Sequence, residues 1–220
     1  MIQTTSEKIL MRNRTLSVMI SILPAIIVLF FKPDIKLLFL TSLYLFWSCL
    51  ELIIENTESN LVAAQKPFDK HSRAYIILCR HFCLWSSTAY ILFHTKNNEN
   101  LLLLLVGFLL ILCGSMLRFS AIVKLKKFFT MTLNIDDKQY LIQDGLYHYI
   151  RHPSYTGVIL LFTGFPLVAG SWWLAIIILF LTSAAVFYRV KLEESLLKNL
   201  KNDDYEAYMK KTYKLIPFIY

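Results

Sequence analysis

The sequence has only four cysteines, and none of them indicates a disulfide or a metal site. They are Cys49, Cys79, Cys83 and Cys113, all four lie inside apolar runs, and no C-x-x-C motif occurs. This placement is typical of small residues in an apolar core. The cysteines therefore imply no oxidising compartment, and we predict no metal ligands in this chain.

Charged residues are scarce as well, at 17% of the 220 residues. Hydrophobic residues make up 56% of the chain, and its mean hydropathy is +0.52. These values are too apolar for a soluble domain of this length. The composition therefore predicts an all-α integral membrane protein, built as one bundle of helices with short connections.

Six apolar runs are candidates for transmembrane helices. They cover residues 16–31, 37–54, 75–93, 101–117, 155–169 and 172–188. Some are shorter than the ~20 residues that cross a bilayer upright, so we expect one or two to be tilted, locally thinned or re-entrant. The first run follows three basic residues but has no small-residue cleavage site, which favours a retained anchor over a signal peptide.

Basic residues predict the orientation of the six spans. With the N-terminus in the cytoplasm, only Lys32, Lys36 and Lys96 of the 23 basic residues fall on the opposite side. This bias predicts that both termini are cytoplasmic. The net charge of +8 then lies beside anionic lipid headgroups, so we expect membrane lipids as partners and no nucleic acid.

Two polar segments, 118–154 and 189–220, remain outside the spans. The fifth and sixth spans are joined by a short turn at Gly170 and Ser171, which predicts an antiparallel hairpin with adjacent cytoplasmic ends. The hairpin brings together polar residues from both segments, namely Arg151, His152, Arg189, Glu193 and Glu194.

The last segment has leucines at positions 192, 196, 197 and 200, opposite a strongly charged face. This spacing predicts an amphipathic helix lying on the membrane surface. We therefore divide the chain into N-terminal transmembrane helices, 1–117, and a core, 118–220. The core comprises the cytoplasmic connector, the hairpin 155–188 and the C-terminal amphipathic helix.

Several polar residues also have a simpler interpretation. Taken alone, Tyr147, Tyr149 and Arg151 are typical of side chains that anchor a span at the headgroups. His152 precedes Pro153, which directs the imidazole away from the helix axis, and here anchoring and ligand binding are equally supported.

The two carboxylates are ambiguous in the same way. One of them fits a solvated position in the first turns of a helix. This interpretation is weaker for Glu193, because Glu193 lies one helical turn from Arg189 and shares its face.

Two further patterns lie within the spans. Arg80 and His81 are near the predicted cytoplasmic end of the third span, where we expect them to snorkel to the interface. Gly107 with Gly114, and Gly157 with Gly164, are each seven residues apart, which predicts close packing of two helix faces.

The ordered motifs GSMLRFSA, FFT, LIQDGLYHYIRHPSYTG, RVKLEESLL and DDYEAYMKKTYKLIPFI occupy residues 114–220, about half of the chain. In this order they resemble the isoprenylcysteine carboxyl methyltransferase family. The R-H-P-x-Y-x-G run is shared with phospholipid N-methyltransferases and membrane sterol reductases. The spacing of Arg189, Glu193 and Glu194, followed by Tyr205, Tyr208 and LIPFI, is more specific to the carboxyl methyltransferases.

The resemblance implies that S-adenosyl-L-methionine is the methyl donor and that a cytoplasmic C-terminal region binds it without a Rossmann domain. Accordingly, the chain has no G-x-G-x-x-G motif. Position by position, the resemblance implies that the cofactor is bound by Gln139, Tyr140, Leu141, Ile142, Tyr147, His152, Pro153, Ser154, Tyr155 and Glu193. Aromatic faces suit a sulfonium cation, and Glu193 can accept hydrogen bonds from the cofactor.

The implied reaction transfers a methyl group to the α-carboxylate of a C-terminal isoprenylcysteine, or of a similar lipophilic acid, that enters from the bilayer. A carboxylate is ionised at neutral pH and needs no general base, so catalysis would rest mainly on positioning. Arg189 is the candidate for binding the acceptor carboxylate. Arg189 and Glu194 are the predicted catalytic residues. The membrane would be the cell inner membrane in a prokaryote or the endoplasmic reticulum in a eukaryote.

Three alternatives remain open at this stage. A phospholipid N-methyltransferase would need a base near its amine acceptor, and Arg189 would hold the lipid phosphate. A sterol-reductase-like oxidoreductase would use NADPH. A non-catalytic adaptor would only dock its polar cluster on headgroups.

Overall fold

The computed structural model describes residues 71–94, 100–125 and 141–217, together with scattered residues between 19 and 47. Within these residues the secondary structure is helical, apart from one isolated parallel bridge between Ile150 and Tyr213. The main helices are α1 (Ser72–Phe93), α2 (Leu101–Leu125), α3 (Pro153–Val168) and α4 (Trp172–Lys211), with a 3-10 helix at Gly145–His148. The predicted all-α class is therefore confirmed for the described part of the chain.

Three of these helices are long and apolar enough to cross a membrane, by length and composition: α1, α2 and the part Trp172–Asn199 of α4. They correspond to the third, fourth and sixth predicted spans. The fifth is the 16-residue α3, which agrees with the expectation that some spans are short. The first two predicted spans, 16–31 and 37–54, lie mostly outside the described residues.

Two helices extend beyond the ends predicted for their spans. Helix α2 continues to Leu125, so the predicted division at residues 117 and 118 falls inside a helix. The apolar run stops at Arg118, but the helix does not, because the Arg118 side chain is buried and has a polar partner on α3. Helix α4 passes through Tyr188 to Lys211, since residues 189–211 include no proline or glycine to end it.

Helix α4 bends sharply in its last third. Arg151 Nε lies 3.1 Å from Glu194 Oε1, and Arg151 Nη1 donates to the carbonyl of Met209 at 3.1 Å. Fifteen residues of straight helix would separate residues 194 and 209 by about 22 Å, which one guanidinium group cannot span. The chain after the bend therefore folds back toward the start of α3. The predicted C-terminal amphipathic helix is not a separate helix, because its leucines at 192, 196, 197 and 200 continue α4, and its position on the membrane surface stays a prediction.

Helices α2 and α3 pack closely and antiparallel through their glycines. A Cβ on Gly114 would lie 2.6 Å from the carbonyl oxygen of Gly157, and a Cβ on Gly107 would lie 2.8 Å from that of Gly164. The predicted close packing is confirmed, and each glycine of one pair faces a glycine of the other. This contact sets Arg118, about one turn beyond Gly114, beside the first turn of α3.

The turn between α3 and α4 agrees with its prediction. Gly170 adopts φ +94°, a conformation that favours glycine, and the Ser171 side chain caps α4 by accepting from Leu174 N at 3.4 Å. The hairpin therefore places the start of α3 beside the residues of α4 that follow Tyr188, at the end opposite this turn.

The described cysteines are all free thiols. Cys83 is buried and Cys79 is partly buried, in agreement with a core position, whereas Cys113 is exposed on α2. The core interpretation is therefore wrong for Cys113, because an apolar run in a membrane helix also supplies its outward face. Cys49 lies outside the described residues.

Candidate functional site

The site is built around the turn that leads into α3. His152 is the N-cap of this helix and Pro153 is its first residue. The backbone of Arg151 and His152 donates to the carbonyls of Tyr213 (2.8 Å) and Lys214 (3.1 Å). The R-H-P motif is thus joined directly to the segment that follows α4.

Arg151 connects this turn to both limbs of the bent helix. Besides Glu194 and Met209, its guanidinium contacts the carbonyl and the side-chain oxygen of Thr212. Only 7% of the Arg151 side chain is exposed. The headgroup-anchor interpretation is wrong for Arg151, because the carbonyls at the end of α4 supply the partners that lipid phosphate would otherwise provide.

The anchor interpretation also fails for Tyr147, which is buried, whereas Tyr149 is exposed and remains compatible with it. Tyr147 donates to the carbonyl of Ala121 at 3.4 Å, and its own carbonyl accepts from the Tyr208 hydroxyl at 2.6 Å. Burial, with the nearby Glu193 carboxylate, raises the pKa of the Tyr147 hydroxyl well above its usual range. Tyr147 therefore stays a neutral phenol between α2 and the end of α4.

Glu194 is the centre of a buried ion cluster. Its Oε1 lies 3.1 Å from Arg151 Nε and 3.4 Å from His152 Nε2, and its Oε2 lies 3.2 Å from Lys214 Nζ. Only 8% of its side chain is exposed. A buried carboxylate is stable only when it is paired in this way, so Glu194 depends on Arg151, Lys214 and the His152 imidazole and holds these three side chains together.

Arg189 and Glu193 are linked through Tyr155. Arg189 Nε donates to the Tyr155 hydroxyl at 2.7 Å, and this hydroxyl donates to Glu193 Oε2 at 2.8 Å. The Arg189 Cζ atom also lies 5.8 Å from the centre of the Tyr155 ring. The two charged residues share one face of α4, as predicted, and a tyrosine from α3 connects them.

The Arg189 guanidinium is also bonded to α1. Its Nη1 donates to the Ser72 side chain at 3.1 Å, and both residues are buried. Hydrogen bonds to Tyr155 and Ser72 on two sides hold the plane of the guanidinium in a defined orientation. Three helices, α1, α3 and α4, thus meet at this side chain.

Glu193 forms the more open edge of the site. Its side chain is 26% exposed, against 4% for His152, whose Nδ1 lies 3.9 Å from Glu193 Oε2. Within the described residues no hydrogen bond reaches its other oxygen, Oε1. A carboxylate with one fixed oxygen and one accessible oxygen is suited to accept hydrogen bonds from a ligand.

The structure brings most of the predicted cofactor residues together at this end of the bundle. Ser154 is buried and accepts from Arg118 Nη1 at 3.0 Å. Leu141 and Ile142 are partly buried in the segment before the 3-10 helix. Gln139 and Tyr140 lie outside the described residues.

Arg118 is a candidate that the sequence reasoning missed. It is buried, and its Cζ atom lies 5.5 Å from the centre of the Trp47 ring. The available signal was an arginine inside an apolar helix, in the motif GSMLRFSA, because charges at such positions are costly and are retained for a partner or a function. The span prediction used the same arginine only as a boundary.

Arg80 and His81 lie in the third turn of α1, and both are partly buried. Their snorkelling to the interface stays a prediction.

Comparison with known proteins finds similarity to one enzyme family. Residues 105–199 match the isoprenylcysteine carboxyl methyltransferase (ICMT) family. The chain is 31% identical over 116 residues to a Schizosaccharomyces pombe protein-S-isoprenylcysteine O-methyltransferase, covering 52% of this chain and 48% of the relative. It is 27% identical over 116 residues to a probable enzyme of the same name from Oryza sativa, covering 52% and 61% of the two chains. The resemblance inferred from the motifs is confirmed.

A solved structure of the eukaryotic intramembrane Ras methyltransferase ICMT has a similar fold. It matches with a TM-score of 0.60 at 17% identity, over 91% of this chain and 73% of that chain. The three apolar helices of spanning length support an integral membrane protein. The matched part spans about half the length of the S. pombe relative.

Proposed function

We propose, from the match of residues 105–199 to the ICMT family, that the chain is an S-adenosyl-L-methionine-dependent membrane methyltransferase. Its acceptor is the carboxylate of a C-terminal isoprenylcysteine or of a similar lipophilic acid. The observation that carries the proposal is the hydrogen-bonded series Arg189, Tyr155 and Glu193, because it places a buried, fixed cation and a partly exposed carboxylate side by side.

The proposed topology has six spans with both termini in the cytoplasm. The site then lies on the cytoplasmic side, within the core 118–220, and residues 1–117 supply the remaining helices. The bias of basic residues toward that side supports this orientation. The host membrane would be the cell inner membrane or the endoplasmic reticulum, according to the organism.

The residues present fit the proposed cofactor. The accessible oxygen of Glu193 can accept from amino or hydroxyl groups, His152 can donate to a carboxylate, and aromatic rings at Tyr147 and Tyr155 can face a cation. The family resemblance adds the neighbouring positions, namely Gln139, Tyr140, Leu141, Ile142, Pro153 and Ser154. When bound, S-adenosyl-L-methionine would supply an electrophilic methyl group on a sulfonium centre.

Arg189 is the proposed binding residue for the acceptor. Its guanidinium is buried, and Tyr155 and Ser72 hold it in place. The side chain therefore loses little conformational freedom when it binds a carboxylate. The acceptor is already ionised near neutral pH, and a planar cation binds it without removing a proton.

Glu194 is proposed to act as a positioning residue. The sequence nominated it as catalytic together with Arg189, but both of its oxygens contact cations of the protein. Its contact with His152 orients the imidazole, and its contacts with Arg151 and Lys214 hold the folded-back end of α4 against the turn before α3. It would therefore affect the reaction through His152.

The lipid tail of the acceptor is proposed to enter sideways from the bilayer, between helices. Support comes from Tyr75 on α1 and Tyr188 on α4, which are both exposed and meet edge to face with ring centres 5.8 Å apart. They neighbour the Ser72–Arg189 hydrogen bond, so an amphipathic group held there would have its head near Arg189 and its tail in lipid.

The test is methyl transfer from labelled S-adenosyl-L-methionine to a farnesylcysteine analogue and to phosphatidylethanolamine, assayed side by side on the purified chain. We expect methylation of the farnesylcysteine carboxylate. Methylation of phosphatidylethanolamine alone would move the chain to the phospholipid N-methyltransferases. Binding of NADPH without S-adenosyl-L-methionine would favour a reductase, and binding of neither cofactor would favour an adaptor.

A further inference from the structure

Tyr205 carries a buried hydroxyl that has no hydrogen-bond partner among the residues the structure describes. Its side chain is among the largest that are fully buried, with 1% exposure. Within the part of the chain that the structure describes, its hydroxyl forms no hydrogen bond. A phenol can donate one hydrogen bond and accept others, and burying it unsatisfied is costly. Such an atom therefore calls for an explanation.

The bend in α4 determines where this side chain lies. Tyr205 is on the folded-back limb, which Arg151 connects to Glu194 on the first limb. Its neighbours include Arg151, Tyr208 and the carboxylates of Glu193 and Glu194, and burial together with these carboxylates raises the pKa of its hydroxyl. Tyr205 is therefore buried on the folded-back limb, near the Glu194 and Glu193 carboxylates.

Tyr208, three residues further along, shows the contrast. Its ring centre is 6.1 Å from that of Tyr205, and it is buried as well. The Tyr208 hydroxyl donates to the carbonyl of Tyr147 at 2.6 Å, so its structural role is evident. Among the described residues, therefore, the hydroxyl of Tyr208 has a protein partner and that of Tyr205 has none.

We propose that the Tyr205 hydroxyl binds a polar group of the methyl donor, as an additional cofactor-binding residue. The inference rests on the proposed function, since it requires that S-adenosyl-L-methionine occupies the space beside Glu193. A polar ligand there supplies the hydrogen bond that the protein does not, which accounts for a tyrosine at a position where phenylalanine would fill the same volume.

The experiment compares Tyr205→Phe, Tyr208→Phe and wild type in one detergent, by equilibrium binding of labelled S-adenosyl-L-methionine and by thermal unfolding without ligand. We expect Tyr205→Phe to weaken binding roughly three- to tenfold, the usual effect of one lost hydrogen bond. Its unfolding temperature without ligand should equal or exceed that of wild type, because an unsatisfied group is removed. Tyr208→Phe should unfold at a lower temperature, because the Tyr147 carbonyl loses its donor.

Tyr149→Phe is the matched control, since Tyr149 is exposed, and it should change neither quantity. Wild-type affinity in Tyr205→Phe would overturn the inference and leave the proposed function standing. A fall in unfolding temperature as large as that of Tyr208→Phe would also overturn it, by showing a structural partner for the hydroxyl. Absence of S-adenosyl-L-methionine binding in the wild type would overturn the inference and the proposed function together.

Discussion

Tyr155→Phe removes the single hydroxyl that connects Arg189 to Glu193, while it keeps the aromatic ring. The bond from Arg189 is 2.7 Å long, and Arg189 itself is buried, so water cannot easily replace the lost acceptor. The bond to Glu193 is 2.8 Å long, but this carboxylate is 26% exposed and water can solvate it. The expected cost is therefore about that of one hydrogen bond to a buried charge, ~1.5–3 kcal/mol.

If the lost bond leaves Arg189 misoriented for its acceptor, kcat/KM for methyl transfer should fall roughly 10- to 100-fold. The assay measures kcat/KM for a farnesylcysteine analogue, and the affinity for S-adenosyl-L-methionine in parallel. The value of kcat/KM for the acceptor should fall much more than the affinity for the cofactor, because Glu193 keeps the oxygen that is proposed to bind the cofactor. Thr163→Val is a suitable control, since the Thr163 hydroxyl only bonds the carbonyl one turn earlier in α3. Unchanged kcat/KM in Tyr155→Phe would refute the role of this hydroxyl in holding Arg189.

Three other substitutions test separate parts of the structure. Ser72→Ala should lower kcat/KM for the acceptor roughly tenfold through the loss of one bond to Arg189, and titration of labelled cofactor should show little change. Glu194→Gln should destabilise the fold by ~3 kcal/mol, because buried cations lose their counter-charge; an unchanged unfolding temperature would contradict the ion cluster. Gly157→Ala should destabilise by at least ~1–3 kcal/mol, because its Cβ would lie 2.6 Å from the carbonyl oxygen of Gly114. Cys113→Ala, an exposed change on the facing helix, should leave the unfolding temperature as in wild type.

The hairpin and the meeting of its polar residues could be predicted because local signals determine them. Gly170 and Ser171 mark a turn too short for any arrangement but antiparallel neighbours. Helical spacing alone puts Arg189 and Glu193 on one face. The close packing at the glycine pairs could also be predicted, since a spacing of seven residues keeps both glycines of a pair on the same side of a helix.

The features that were missed depend on contacts between residues far apart in the chain. The bend in α4 follows from contacts of Arg151 with both of its limbs, 43 and 58 residues away. Tyr147 and Arg151 resemble interfacial anchors in sequence, and only the position of main-chain carbonyls from α4 shows that the protein itself satisfies them. Hydropathy predicts the end of a span at Arg118, because it does not reveal that Ser154 lies beside this side chain.

The central claim is that Arg189 binds the carboxylate that is methylated, and Arg189→Lys tests it most directly. Lysine keeps the charge but loses the planar, two-pronged geometry and the fixed bonds to Tyr155 and Ser72. The measurement is the initial rate of methyl transfer from S-adenosyl-L-methionine to a farnesylcysteine analogue, with cofactor binding determined on the same samples. The account predicts a sharp fall in rate with a much smaller change in cofactor affinity, whereas an unchanged rate would remove Arg189 from the active site.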